Sequence, residues 1–242
     1  MSSSYNEFAH YYDILTENVD YKVRSDYISN FFSDYGNGGN KLLDLACGTG
    51  SFCKEFANRG YSITGIDSSE DMLSVADSKL KSKAKFICAD MTDFKFSDKF
   101  DFCVCMLDSI NHLTDIELVK KCFNCVYDSL NKGGIFVFDV NTPYKHNCIL
   151  ADNTFVFDEE DFFLSWDNEC ENDNVVRILI DIFAFNGKNY DRFSEEFYEK
   201  AYDIDEIKSV IGNFEILGIF DELTFNEPKN DSERIYFVLK RN

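Results

Sequence analysis

Four short stretches hold the residues best suited to chemistry. "KLLDLACGTG", residues 41–50, runs through Asp44 into a turn bearing Gly48 and Gly50. Glycine lets a backbone turn tightly and approach a ligand closely. An acid just before that turn repels a pyrophosphate and welcomes a cation. Asp67 closes "SITGID", about twenty residues on, the spacing at which a carboxylate meets a ribose diol. Asp90 closes "AKFICAD", and "LDSINH" brings Leu107, Asp108 and His112 to the end of another apolar run. Asp108 and His112 are the candidates by location for a general base, needed only if the attacking atom starts protonated. Helix capping is the competing reading of His112.

Those residues need elements to hold them. "KLLDLA", "SITGID", "AKFICAD", "FDFCVCML" and "GGIFVFDV" read as strands, separated by helical stretches such as "SSEDMLSVADSKL", which opens on serines and acids as a capped helix does. Nearly continuous apolar strands alternating with helices predict a parallel sheet covered on both faces, with ligands beyond the carboxyl ends of the strands. Residues 5–35 read as helical, stopped by Gly36. Residues 152–202 break the pattern. "NVVRILIDIFAF" and "YDRFSEEFYEKAY" alternate in period two across "NGKN", a hairpin signal, and "TFVFDEEDFFLSW" adds at least one strand before them. After them come a helix at "DIDEIKSVIG" and two closing strands.

Composition narrows the function. The chain has 242 residues, 45% of them hydrophobic, enough for one large α/β domain with a core. Its formal charge is −20, from 24 basic and 44 acidic side chains, which speaks against nucleic acid or an anionic membrane as partner. The N-terminal stretch has neither the basic nor the apolar region of a secretory signal, and no apolar run approaches the ~20 residues that span a bilayer. The expectation is a soluble, cytoplasmic protein. Cys122 and Cys125 form a C-x-x-C on a helical pattern, but no second pair has zinc spacing, so buried free thiols and no metal are expected.

A dinucleotide fingerprint requires a third glycine where Cys53 stands, and it gives Asp44 no role. S-Adenosylmethionine, with an ammonium and a sulfonium, suits Asp44 better. "LLDLACGTG", "ITGIDSSEDML", "FICADMTDF" and "FDFCVCMLDSINHL", in that order, resemble the motifs of class I S-adenosylmethionine-dependent methyltransferases. "FAHYYDILTENVDY", "EEFYEKAYDIDEI" and "SERIYFVLKR" also resemble a group of small bacterial members, so the resemblance covers almost the whole chain. The usual first motif has glycine where Ala46 stands.

The resemblance implies a Rossmann-like, seven-stranded, mostly parallel sheet with helices on both faces, and cofactor roles for named residues. Asp44 would approach the methionine amino group, Ala46 and Gly48 would supply backbone contacts, and Gly50 would permit close approach. Asp67 would take the ribose hydroxyls, Met72 would pack on the adenine, and Asp90 and Met91 would meet its edge. Leu107 would lie beneath the sulfonium, and Tyr11 or Tyr12 would cover the cofactor. Helix core for Met72, a solvated strand end for Asp90 and plain packing for Tyr12 are the alternatives.

The organisation expected is a helical cover (1–35), a core (36–146 and 203–242) with the first strand central and the last antiparallel, and an antiparallel β insertion (147–202) acting as a lid. Nucleic-acid amino methyltransferases carry Asn/Asp-Pro-Pro-Tyr after the fourth strand. "LDSINH" stands there instead, and "NTPY" at 141–144 follows the fifth strand, so a small-molecule acceptor is expected. By alternation Glu196, Tyr198, Lys200 and Tyr202 share a face for its pocket. The expected activity is methyl transfer by in-line displacement, carried mainly by positioning. A nicotinamide-dependent oxidoreductase and a non-catalytic S-adenosylmethionine-binding protein are the alternatives.

Overall fold

A computed structural model describes residues 4–242. The N-terminal helical stretch is two helices, not one run: α1 (Ser4–Leu15) and α2 (Tyr21–Tyr35). Asp20 restarts the helix by accepting a hydrogen bond from the Val23 N–H, 2.9 Å. Gly36 ends α2 where a Cβ would lie 2.7 Å from the Phe102 ring.

The core then alternates as β1 (Lys41–Leu45), α3 (Ser51–Asn58), β2 (Ser62–Asp67), α4 (Glu70–Leu80), β3 (Ala84–Cys88) and β4 (Phe100–Cys105). A 3-10 turn (Ser109–His112), α5 (Ile116–Ser129), β5 (Leu130–Asn141) and a π-helix (Lys145–Leu150) follow. Next come β6 (Thr154–Asp158), β7 (Phe162–Cys170), β8 (Val175–Phe185) and β9 (Tyr190–Lys200). The chain ends with α6 (Ile204–Val210), β10 (Phe214–Asp221) and β11 (Arg234–Arg241).

Seven strands form one sheet in the order β10-β11-β5-β4-β1-β2-β3, and β11 runs antiparallel to both its neighbours. The central strand is β4, with β1 beside it, which corrects the expectation that β1 is central: two strands, β10 and β11, extend the β5 side. Helices cover both faces. Val119 and Phe123 of α5 and Ile207 of α6 pack on one, and Phe31, Phe56 and Leu73 of α2, α3 and α4 on the other.

The chain leaves β1 in one direction through β2 and β3, then returns to place β4 on the other side of β1. That reversal opens a crevice beyond the carboxyl ends of β1 and β4, where ligands of open α/β sheets bind.

β6 to β9 form a separate antiparallel sheet. Ile178, Ile180, Ile182, Phe193 and Phe197 line its inner face, and Tyr11 and Leu15 of α1 pack against them. Full burial of each isoleucine contributes roughly 1.5–3 kcal/mol. Asn111, fully buried in the 3-10 turn, fastens this sheet to the core. Its amide N–H donates to the Lys200 carbonyl (2.8 Å) and to that of Asn141 (3.2 Å), and its oxygen accepts from the Asn141 N–H (2.9 Å).

Candidate active site

The crevice is built from backbone conformations that favour glycine. Ala46 (φ 55°), Gly48 (φ 51°) and Gly50 (φ 77°) all take positive φ after β1, as do Leu107 (φ 55°) and Asp108 (φ 56°) after β4. Only Gly48 leaves open space: a Cβ there would meet nothing nearer than the Tyr12 ring at 3.9 Å. A Cβ on Gly50 would lie 3.0 Å from that of Ala76, so its close approach is to α4 and not to the crevice. Ala46 carries the cost of a left-handed conformation that glycine would not.

Asp44 is 2% exposed and accepts a hydrogen bond from the Cys53 thiol, 3.0 Å. Burial pushes its carboxyl up to about 7, against the Cys53 hydrogen bond and with help from Asp67. It lines a cavity of about 30 Å³ with Gly48, Met106, Leu107, Ser109 and Tyr12. A buried acid whose ionisation is held back gains most from a cationic partner. This donor set fits the amino-acid end of S-adenosylmethionine.

Asp67, half-buried at the end of β2, braces the turn. One oxygen accepts from the Gly48 N–H (2.8 Å) and the other from the Ser69 N–H (2.9 Å). The cap of α4 is Ser69, whose hydroxyl accepts from the Met72 N–H at 3.2 Å. Met72 is buried at the start of α4. Asp90 is exposed and accepts from both the N–H (2.7 Å) and the hydroxyl (2.8 Å) of Thr92, while Met91 packs on the core. α1 is fastened over the crevice by Asp13, which accepts from the Thr49 hydroxyl (2.6 Å) and pairs with Lys79.

On the β4–β5 side the geometry corrects two expectations. Asp108 accepts from Arg234 (3.0 Å) and from the Asn141 amide (2.9 Å). The Arg234 guanidinium, joined by Lys145, more than offsets burial and holds its carboxyl down at about 2. A carboxylate so weakly basic is a poor proton acceptor at neutral pH.

The β9 alternation has the opposite phase to the one expected. Glu196 and Tyr198 face solvent beside Arg177, as the pairing of Arg177 with Tyr198 requires. Lys200 places its ammonium over the Tyr202 ring, and Tyr202 is fully buried in the core, donating to the Leu113 carbonyl.

Glu199 faces inward instead. It is 4% exposed, and burial raises its carboxyl well above the usual range, as Asp108 also does. His112 Nε2 lies 3.6 Å from one of its oxygens and His146 Nε2 3.7 Å from the other. Sequence reading missed Glu199, His146 and Arg234. For Glu199 the available signal was Phe193 and Phe197, which share its phase.

An open, mostly parallel sheet with a glycine turn at its switch point is the arrangement in which α/β proteins hold a nucleotide or nucleoside cofactor. Residues 42–134 match the family model described as a methyltransferase domain. The chain is 32% identical over 243 residues to the putative methyltransferase YqeM of Bacillus subtilis (strain 168), covering 98% of this chain and 97% of that one. It is similar to the solved structure of an S-adenosylmethionine-dependent methyltransferase from Clostridium acetobutylicum ATCC 824, at 34% identity and a TM-score of 0.88 over 98% of each chain. A dTDP-3-amino-3,4,6-trideoxy-alpha-D-glucopyranose N,N-dimethyltransferase of Streptomyces venezuelae is 30% identical over 135 residues, 55% of this chain and 56% of that one. The chain belongs to the S-adenosylmethionine-dependent methyltransferases.

Proposed function

We propose that the chain methylates a small polar molecule held between the carboxyl ends of β4 and β5 and the inner face of the four-stranded sheet. The observation that carries this is the gathering of His112, Asn141, Lys145 and Glu199 at that place, beside a crevice suited to the cofactor. The Streptomyces venezuelae relative, named for an amino-sugar substrate, supports an acceptor of that size and polarity. The net charge of −20 argues against a polyanion.

Asp44 holds the cofactor's ammonium, with the backbone at Ala46 and Gly48 beside it and Gly50 setting the turn against α4. Asp67 takes the ribose while bracing Gly48. Met72, Asp90 and Met91 meet the adenine, Leu107 lies under the sulfonium, and Tyr12 covers the crevice. The bound cofactor supplies a methyl carbon already activated by sulfonium. Positioning and exclusion of water are then the protein's main contribution. Residues 1–35, of which 1–3 lie outside the described residues, act as a cover, 36–146 with 203–242 as the core, and 147–202 as a lid on the acceptor.

Incubation with methyl-labelled S-adenosylmethionine and fractionated cell extract tests the reading. Label should pass to a low-molecular-mass product with release of S-adenosylhomocysteine. Label found only in nucleic acid or protein would contradict it.

A further inference from the structure

Three groups on three elements meet beneath the four-stranded sheet with no role in holding the cofactor. They are His112 on the 3-10 turn, Glu199 on β9 and His146 on the π-helix. Their exposure falls along the line: the side chains are 44%, 5% and 0% exposed. Each oxygen of Glu199 faces a different imidazole, 3.6 Å to His112 Nε2 and 3.7 Å to His146 Nε2.

The protonation of His146 follows from its other partner. Its Nδ1 lies 2.9 Å from the Asn174 carbonyl oxygen, which only accepts, so Nδ1 carries the hydrogen. In the neutral ring Nε2 is then a lone pair. That atom is buried without a hydrogen-bond partner in the protein, and it points at Glu199. A buried acceptor left unmet is costly, and a proton on Glu199 is placed to meet this one. Among the described residues no group of three or more His, Cys, Asp or Glu side chains is arranged to hold a metal ion.

We infer that His112, Glu199 and His146 form a proton relay that removes the proton lost by the acceptor's attacking atom, so that the acceptor is an amine or a hydroxyl compound. This rests on the methyl-transfer reading above. His112 Nε2 takes the proton. The freed lone pair forms the bond to the methyl carbon as the carbon–sulfur pair returns to sulfur. Glu199 accepts a proton from His112 on one oxygen and releases its own from the other to His146 Nε2. The proton count is unchanged, and the positive charge ends on the buried ring. The gaps are several tenths of an ångström longer than a hydrogen bond, a distance that small side-chain rotations close. Glu199 and His146 act through His112 and are positioning residues.

Burial lowers both histidines and raises Glu199, which favours the neutral trio. Asp108 and Asp67 face His112, Asp108 and Lys145 face His146, and Asp108, Arg234, Lys145 and Asn141 face Glu199.

The chain has three histidines, so ¹⁵N-histidine labelling resolves the relay by NMR titration of the full protein. In the wild type, the His112 and His146 signals should move over one shared pH interval, as coupled sites do. Glu199→Gln should split them, moving the His112 midpoint by at least about one pH unit, the coupling that such sharing requires. His146→Gln should reduce His112 to a single simple step, and it decides the matter if Glu199→Gln does not fold. Wild-type curves that are already independent, or a His112 curve unchanged in either folded variant, would overturn the relay. Calorimetric titration of the same wild-type sample with S-adenosylmethionine separates the two claims: loss of binding there removes the methyl-transfer reading, whereas the titration curves report on the relay alone.

Discussion

Both oxygens of Asp67 accept backbone hydrogen bonds, so this acid shapes the glycine turn. Asp67→Ala should therefore weaken cofactor binding at least ~10-fold, since hydrogen bonds to charged groups contribute about 1.5–3 kcal/mol each. It should also lower stability, because the Gly48 and Ser69 N–H groups lose their acceptor. Ser69→Ala removes only the α4 cap and should cost about 1 kcal/mol in stability with cofactor affinity near wild type. Calorimetry and thermal melting of both variants check this. Asp44 adds a pH dependence. Its folded value of about 7 lies above the ordinary ~3.9 of an unfolded chain. Between those values the folded protein holds a proton that the unfolded chain lacks, so this group's contribution to stability falls as pH rises through the window. Affinity for a cationic ligand should move the other way, weakening as pH drops below about 7, because Asp44 must then shed its proton to pair. The positions of Asp44, Gly48 and Asp67 were legible in the sequence because strand ends and glycines mark them. The brace that Asp67 gives Gly48 was not, because it joins residues 19 apart across two parallel strands.

At the scale of elements, Tyr12 brings α1 to the wall of the crevice, and Asp13, held by Thr49 and Lys79, fastens the helix there. Asp13→Ala should speed cofactor release by ~10-fold, the lower end of what a hydrogen bond to a charged group contributes. Stopped-flow displacement measures the rate, and an unchanged rate would mean that α1 is held by packing alone. The β8–β9 hairpin was legible, since "NGKN" sits between two period-two runs and the Asn186 side chain accepts from the Lys188 and Asn189 N–H groups, as an Asn in a tight turn does. Its phase was not. "YDRFSEEFYEK" has aromatics on both faces, and only the packing of Phe193 and Phe197 against the inner face decides that Glu199 points inward. The π-helix that delivers His146 has no repeat of its own for a reader of the sequence to find. The break between α1 and α2 rests on a single capping Asp20 inside a stretch whose helical spacing continues on both sides.

Over the whole molecule, Arg234 ties the two closing strands to the site. Buried on β11, it pairs with Asp139 on β5 and with Asp108 after β4, while Glu222 lies 3.7 Å away. Its charge reads in the sequence only as one arginine opening an apolar strand, so its burial needed the fold. Removing one partner from a buried network costs about 3–5 kcal/mol, and Arg234→Ala should lose that much by denaturant unfolding. Asp108 gives this network an acid limit. Its value of about 2 is below the unfolded one, so its contribution is present above pH ~4 and is lost as pH falls through about 2. In the proposed function, the crevice between β1 and β4 recognises the cationic amino-acid end of the cofactor through Asp44. Calorimetric titration of wild type and Asp44→Asn with S-adenosylmethionine and with adenosine tests it most directly. S-Adenosylmethionine affinity should fall at least ~10-fold in the variant, the loss of one charge-assisted contact, with adenosine affinity nearly unchanged. Equal losses for the two ligands would show that Asp44 only shapes the turn and would contradict the claim.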